Sequence, residues 1–236
     1  INTVGLALGI ASCVIISHFV LDELSYDQYN EKVDQIARIV FRAKVNGEEI
    51  KEGVVMAPVA QAAKNDFPEV LDATRIRRLG TPKITVGQQA FRDGRFAYVD
   101  PNFFEIFSLP IIAGDAGNPL EQPNTVVITT TLAVKYFGTK NAIGKLFYLE
   151  SQEQPYTITG VIEEIPENAH FHFDLFASMK GFPEAKSNSW FKGNFFTYLL
   201  LKKGFDHQQL EAKLPGLIGK YMGPSMQEEM GVSFEE

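Results

Sequence analysis

The first twenty-one positions, INTVGLALGIASCVIISHFVL, carry no full charge. Their polar members are few and small: Asn2, Thr3, Ser12 and Ser17, with His18 near the end. As a helix rising about 1.5 Å per residue, this run spans roughly the 30 Å of a bilayer's hydrocarbon core. A buried helix of a soluble domain would show a polar face, and a cleaved signal peptide would have an apolar core of only about 7–15 residues before a small-residue cleavage site. His18-Phe19-Val20-Leu21 offers no such site, so residues 1–21 read as one transmembrane helix. Gly5 and Gly9 form a G-x-x-x-G pair that Cys13 extends, a candidate face for close helix packing in a membrane. Asp22, Glu23, Asp27 and Glu31 follow with no basic residue before Lys32, which favours placing what comes next outside the cytoplasm.

Beyond the apolar run the periodicity changes. Tyr26, Tyr29, Val33 and Ile36 fall at helical spacing, predicting that the helix continues through Leu24 to Ile36 with these four on one face. Ile39, Phe41, Ala43 and Val45 alternate with Val40, Arg42 and Lys44, predicting a half-buried strand that turns at Asn46-Gly47. A short helix with Pro58 in its first turn should end at Phe67-Pro68. Strands are expected over 73–79, 83–91 and 95–99, then a short helix capped by Asp100 and bearing Phe103, Phe104, Ile106 and Phe107. The loop Gly114–Pro123 (GDAGNPLEQP) precedes a strand at Val126–Ile128, a helix from Thr129 or Thr130 to Gly138, and strands at 145–150 and 156–162. Further strands near 171–177 and 194–202 flank the polar stretch Gly181–Ser189. A last helix starts at Asp206, with Gln209 in the capping-box position and Pro215 expected to kink it. The pattern is α+β: a mixed-sheet domain built from residues 22–114 and 166–225, an inserted small α+β subdomain at 115–165, and a tail at 226–236. The chain starts at Ile1 without a Met and is expected to be a piece of a longer protein.

Composition narrows the function. The formal charge of −7 over 236 residues excludes the dense basic face that nucleic acid requires. One cysteine, Cys13, excludes a disulfide framework and a cysteine-clustered zinc site. Gly138–Lys145 (GTKNAIGK) has five residues between its glycines and Leu146 where a phosphate loop needs Ser or Thr, so it reads as a bend. His170, His172 and Asp174 would share one face of a strand, but two imidazoles and a carboxylate on a strand are ordinarily just its polar face. Glu163, Glu164 and Glu167 read as solvated turn charges, the Phe103–Phe107 cluster as core, and Arg75, Arg77 and Arg78 as partners of nearby acids. No catalytic, cofactor or metal residue is expected.

The order of several motifs carries more than any one of them. NTVGLALGIA (Asn2–Ala11), DELSYDQY (Asp22–Tyr29), VDPNFFEIF (Val99–Phe107) with Gly114-Asp115, NTVVITT (Asn124–Thr130) running on to Phe137-Gly138, AIGK (Ala142–Lys145) and ITGV (Ile158–Val161) occur in one sequence. Together they resemble the extracytoplasmic region of MacB-like and FtsX-like ABC transporter permeases. The resemblance implies a first transmembrane helix ahead of a porter-type periplasmic domain with a small inserted part, in the inner (cytoplasmic) membrane. It implies a non-catalytic domain whose partners are a cytoplasmic ATP-binding subunit, a second permease copy in a dimer, and a periplasmic adaptor or substrate. It also implies mechanotransmission, with the Leu24–Ile36 helix as lever and Tyr26, Tyr29, Val33 and Ile36 as its packed face. The other class considered is a membrane-anchored extracytoplasmic sensor or ligand-binding module.

Overall fold

The computed structural model describes residues 2–45, 48–150 and 152–224. The expected turn at Asn46-Gly47 and the expected tail at 226–236 lie outside them. Helix α1 spans Asn2–Ser25, and none of its residues is buried. The helices that follow are α2 (Val59–Asp66), α3 (Phe103–Ile106), α4 (Thr130–Phe137), α5 (His207–Glu211) and α6 (Leu214–Tyr221). The strands are β1 (Ile36–Ile39), β2 (Phe41–Val45), β3 (Glu48–Glu52), β4 (Val55–Met56), β5 (Val70–Gly80), β6 (Ile84–Val86) and β7 (Gln89–Phe91). They continue with β8 (Phe96–Val99), β9 (Ile111–Gly114), β10 (Thr125–Thr129), β11 (Leu146–Leu149), β12 (Tyr156–Ile162), β13 (Leu175–Ser178) and β14 (Gly193–Leu201).

Twelve strands form one mixed sheet in the order β1-β14-β5-β8-β13-β10-β12-β11-β6-β7, with β4 on β14 and β9 on β12. The pairs β8/β13 and β10/β12 are parallel and the others antiparallel. The hairpin β2–β3 stands apart.

The three central strands read FAYV, LFAS and TVVIT, without polar alternation, because both of their faces are covered. Phe96, Tyr98, Leu175, Ala177, Val126 and Ile128 join Leu132, Ala133 and Tyr136 of α4 in one core. Ala97, Val99, Phe176 and Val127 join Phe103, Phe104 and Ile106 of α3 on the other side, along with Phe107, Phe171 and Phe173. A third core lies over the β1/β14/β5 end, where Val59 and Ala63 of α2 meet Leu199, Leu201, Leu210 and Leu217. Segment 115–165 supplies β10, β11 and β12 to this continuous sheet and α4 beside it.

Several expected elements differ. The helix expected to reach Ile36 stops at Ser25; Tyr26–Tyr29 form a turn, Val33–Gln35 a single 3-10 turn, and Ile36 opens β1. Asp27 adopts a left-handed φ of 59°, and the Asn30 side chain accepts from Lys32 N at 2.8 Å, a local bond that competes with helix continuation. The strand expected over 39–45 breaks at Val40, since β1 pairs with β14 while β2 leaves to pair with β3. Residues 83–91 form a hairpin, turning at Gly87 with φ 57°. The strand expected near 171–177 is confined to β13. Asn102 rather than Asp100 sits at the start of α3, because the Asp100 carboxylate is committed to Arg75. Asp206 caps α5 by accepting from Gln208 N, but Pro215 does not kink one helix; it lies in the first turn of a second one, where its missing N–H costs nothing.

Candidate functional site

The apolar leader and the folded part meet over a few residues. The helix α1 ends with carbonyls that its own backbone cannot satisfy. The Asn168 side-chain amide donates to the Ser25 carbonyl at 2.7 Å, and the Ser25 hydroxyl donates to the Asp22 carbonyl at 2.7 Å. The next turn is tied to the same segment, because Asp27 N donates to the Asn168 carbonyl at 2.8 Å.

The Asp27 carboxylate accepts from His170 N at 3.1 Å, and both its oxygens lie 2.8 Å from His170 Nδ1. On the other side of the ring, Nε2 lies 2.8 Å from the hydroxyl of Tyr198 on β14. A carboxylate only accepts, so Nδ1 carries a proton, and the hydroxyl can serve Nε2 as donor or acceptor. Around this chain of bonds is a cavity of about 300 Å³ lined by Asn30, Val33, Ile36, Arg38 and Phe107 as well as the triad. Burial raises the Tyr29 phenol, and the Asp27 charge adds to the shift; the Tyr29 hydroxyl has no hydrogen-bond partner among the described residues. Farther round, buried Asn30 accepts from the Ser108 hydroxyl at 3.0 Å, and Lys32 Nζ donates to the Glu105 carbonyl at 2.8 Å.

The residues singled out from sequence therefore divide. Tyr29 and Ile36 pack on the core that holds α3, and Val33 and Ile36 line the cavity, while Tyr26 is exposed. The four do not share a helix face. Gly5 and Gly9 lie on α1 with nothing within 4 Å of where a Cβ would stand. His170, His172 and Asp174 do not converge: Asp174 accepts from Arg95 N, Nε and Nη2 at 2.8–2.9 Å, and no group of three metal-ligating side chains occurs among the described residues. Gly138 caps α4 with a left-handed φ of 69°, and Gly144 turns with φ 77°, as a bend requires. Arg75 and Arg77 pair with Asp100 and Glu184. Glu164 is more than a solvated charge, since it accepts from Thr131 N at 2.8 Å and the Thr130 hydroxyl at the start of α4. Sequence reasoning passed over the pairing of Asp27 with His170, 143 positions apart; its one local signal was an Asp just past the leader, a residue type that tolerates the left-handed conformation.

A helix long and apolar enough to cross a bilayer is joined through residues 26–35 to a mixed sheet with both faces covered, the plan of a domain anchored by its N-terminal helix. The chain belongs to the MacB-like periplasmic core domain family, whose model matches residues 1–217, the outer domain of ABC transporter permeases. Three solved structures share the fold. A Porphyromonas gingivalis domain assigned to a permease is 24% identical, with a TM-score of 0.71, covering 81% of this chain and 83% of its own. The periplasmic region of MacB from Actinobacillus actinomycetemcomitans is 13% identical, with a TM-score of 0.52, covering 74% and 83%. The extracellular domain of the noncanonic ABC-type transporter YknZ from Gram-positive bacteria is 10% identical, with a TM-score of 0.51, covering 84% and 96%. No curated protein matches the chain significantly.

Proposed function

We propose that this chain is the first membrane helix and outer domain of a permease that works by mechanotransmission. ATP hydrolysis on a cytoplasmic partner moves the membrane helices of two permease copies in the inner membrane, and the outer domains move with them to drive export or release of a substrate beyond the membrane. The observation that carries this reading is the direct bonding of α1 to the folded domain: Asn168, in the connection between β12 and β13, holds its last carbonyl and the following turn. The domain itself has no task in the chemistry. In this reading the small inserted subdomain is residues 115–165, which hold β10, α4, β11 and β12, and the Gly5/Gly9 stripe packs on a second membrane helix. Tyr29, Val33 and Ile36 belong to the joint between helix and sheet, not to a lever.

The test uses the full-length permease with its ATPase in proteoliposomes. A spin label at Lys203→Cys, an exposed position in the turn after β14, gives the distance between the two outer domains once Cys13 is replaced by Ser. Trapping the ATPase with vanadate should shift that distance. An unchanged distance, alongside normal ATP turnover, would refute mechanotransmission. Protection of residues 32–51 from protease added to intact spheroplasts would refute the outer location.

A further inference from the structure

We infer that Asp27, His170 and Tyr198 form a polar latch that fixes the direction of the membrane helix relative to the sheet. It gives the proposed mechanotransmission its point of attachment, and rests on that reading for its task but not for its test. The need for such a latch follows from α1 itself. No residue of α1 is buried, so apolar packing within this chain does nothing to orient it. A helix joined to a domain only through a peptide chain would pivot at the first residue outside it.

The bonds at the joint reach three separate parts of the fold. Asn168 and His170 come from the segment between β12 and β13, Asp27 from the turn after α1, and Tyr198 from β14. Asn168 seats the turn by donating its side-chain amide to the Ser25 carbonyl and accepting from Asp27 N at its own carbonyl. His170 then spans from the Asp27 carboxylate to the Tyr198 hydroxyl with 2.8 Å contacts at both ring nitrogens. Tyr198 is 4% exposed and its strand pairs with both β1 and β5, so the far end of the latch is anchored inside the sheet. The imidazole is further held by Phe107 and Phe171, with ring centroids 6.0 and 4.9 Å away. A ring bonded at both nitrogens and flanked by two phenyl rings resists following a swinging helix, although its side chain is 28% exposed. The left-handed Asp27 sets the angle at which the chain leaves α1.

The chain's one cysteine, Cys13, lies on α1 and is exposed, so it serves as a labelling site on the helix. In the full-length permease in nanodiscs, with any cysteines outside this chain replaced, spin labels at Cys13 and Lys203→Cys report the angle between helix and sheet. Labelled copies are diluted with unlabelled ones so that only distances within one chain contribute. The wild-type joint should give a single narrow distance. Asp27→Gly keeps the left-handed backbone free of strain but removes the carboxylate, and His170→Gln retains reach toward Tyr198 but not toward Asp27. Both should lose the narrow distance in favour of a broad distribution, with the near-ultraviolet circular dichroism of the domain unchanged. Asp27→Asn, which tolerates the same backbone and keeps an acceptor, should retain it. A narrow distance in both Asp27→Gly and His170→Gln would overturn the latch, as would equal broadening by Lys83→Ala, a change remote from the joint. No ATP or cargo enters this measurement, so its failure is separable from failure of the permease reading.

Discussion

Replacing Arg75 by Met should be among the costlier single changes in the domain, because this guanidinium ties four segments together. Its Nε and Nη2 donate to the two Asp100 oxygens at 2.9 Å each. Nη1 donates to the carbonyls of Ala57, ahead of α2, and Ala185, at 3.1 and 3.0 Å. The Arg75 and Asp100 side chains are only 17% and 16% exposed, and the guanidinium carbon lies 5.5 Å from the centre of the Phe195 ring. Met fills much of the same space but strands a carboxylate and two carbonyls. Removing one partner of a buried pair costs about 3–5 kcal/mol; since water reaches part of this pair, the low end, about 3 kcal/mol, is expected. For a domain of this size that corresponds to a fall in Tm of roughly 6–12 °C. The assay is thermal and urea unfolding followed by the fluorescence of Trp190, the chain's single tryptophan, which stacks on Tyr221 in the groove that Arg75 also lines. Combining Arg75→Met with Asp100→Asn, which removes the stranded charge but keeps an acceptor for Arg75 N, should recover about 1 kcal/mol or more. A loss under about 1 kcal/mol for Arg75→Met, or no recovery in the double variant, would mean that the pair behaves as a solvated surface pair and the reasoning from burial is wrong.

Asp174 sits below the usual carboxylate range: burial pushes it up, but bonds from the Arg95 side chain and backbone outweigh that. A lowered folded pKa gives stability that is present above the unfolded value of about 4 and lost as pH falls through the folded one. Urea midpoints between about pH 5 and 3 should therefore fall less steeply in Asp174→Asn than in the wild type; parallel curves would contradict this. Phe103→Ala opens the ring cluster of Phe104, Phe107, Phe171 and Phe176, all with centroids 4.8–5.5 Å away, and should cost about 3–5 kcal/mol by chemical denaturation. Gly114→Ala would place a Cβ 2.2 Å from the Thr159 carbonyl at φ +99°, so hydrogen exchange should show lost protection where β9 meets β12 while β8 and β13 stay protected.

Much of the sheet was legible because its signals are local. Residues 156–162 read as a strand over the span that β12 occupies, and the helix stopping at Gly138 needed only a residue free to take a positive φ. The Phe103–Phe107 cluster read as core, and its first members are 0–6% exposed. The joint was misread for an equally physical reason. Tyr29, Val33 and Ile36 have helical spacing, yet a turn, a 3-10 turn and a strand each turn one of them toward the core or the cavity, while Tyr26 is exposed. Periodicity records burial and is silent on which backbone achieves it.

What the sequence determined by itself is what depends on neighbours within a few positions: a leader with no charge to keep it in water, the α+β alternation of elements, the turn glycines, and a charge balance unsuited to nucleic acid. The tertiary structure decided which distant groups complete one another. Asp27 and His170 meet across 143 positions, Arg75 and Ala185 across 110, and Asp174 turns from His172 to Arg95. Each of these polar groups would be solvated in the unfolded chain, and its partner is fixed only when strands from both ends of the sequence close into one sheet, because desolvation makes an unpaired charge or carbonyl costly only there.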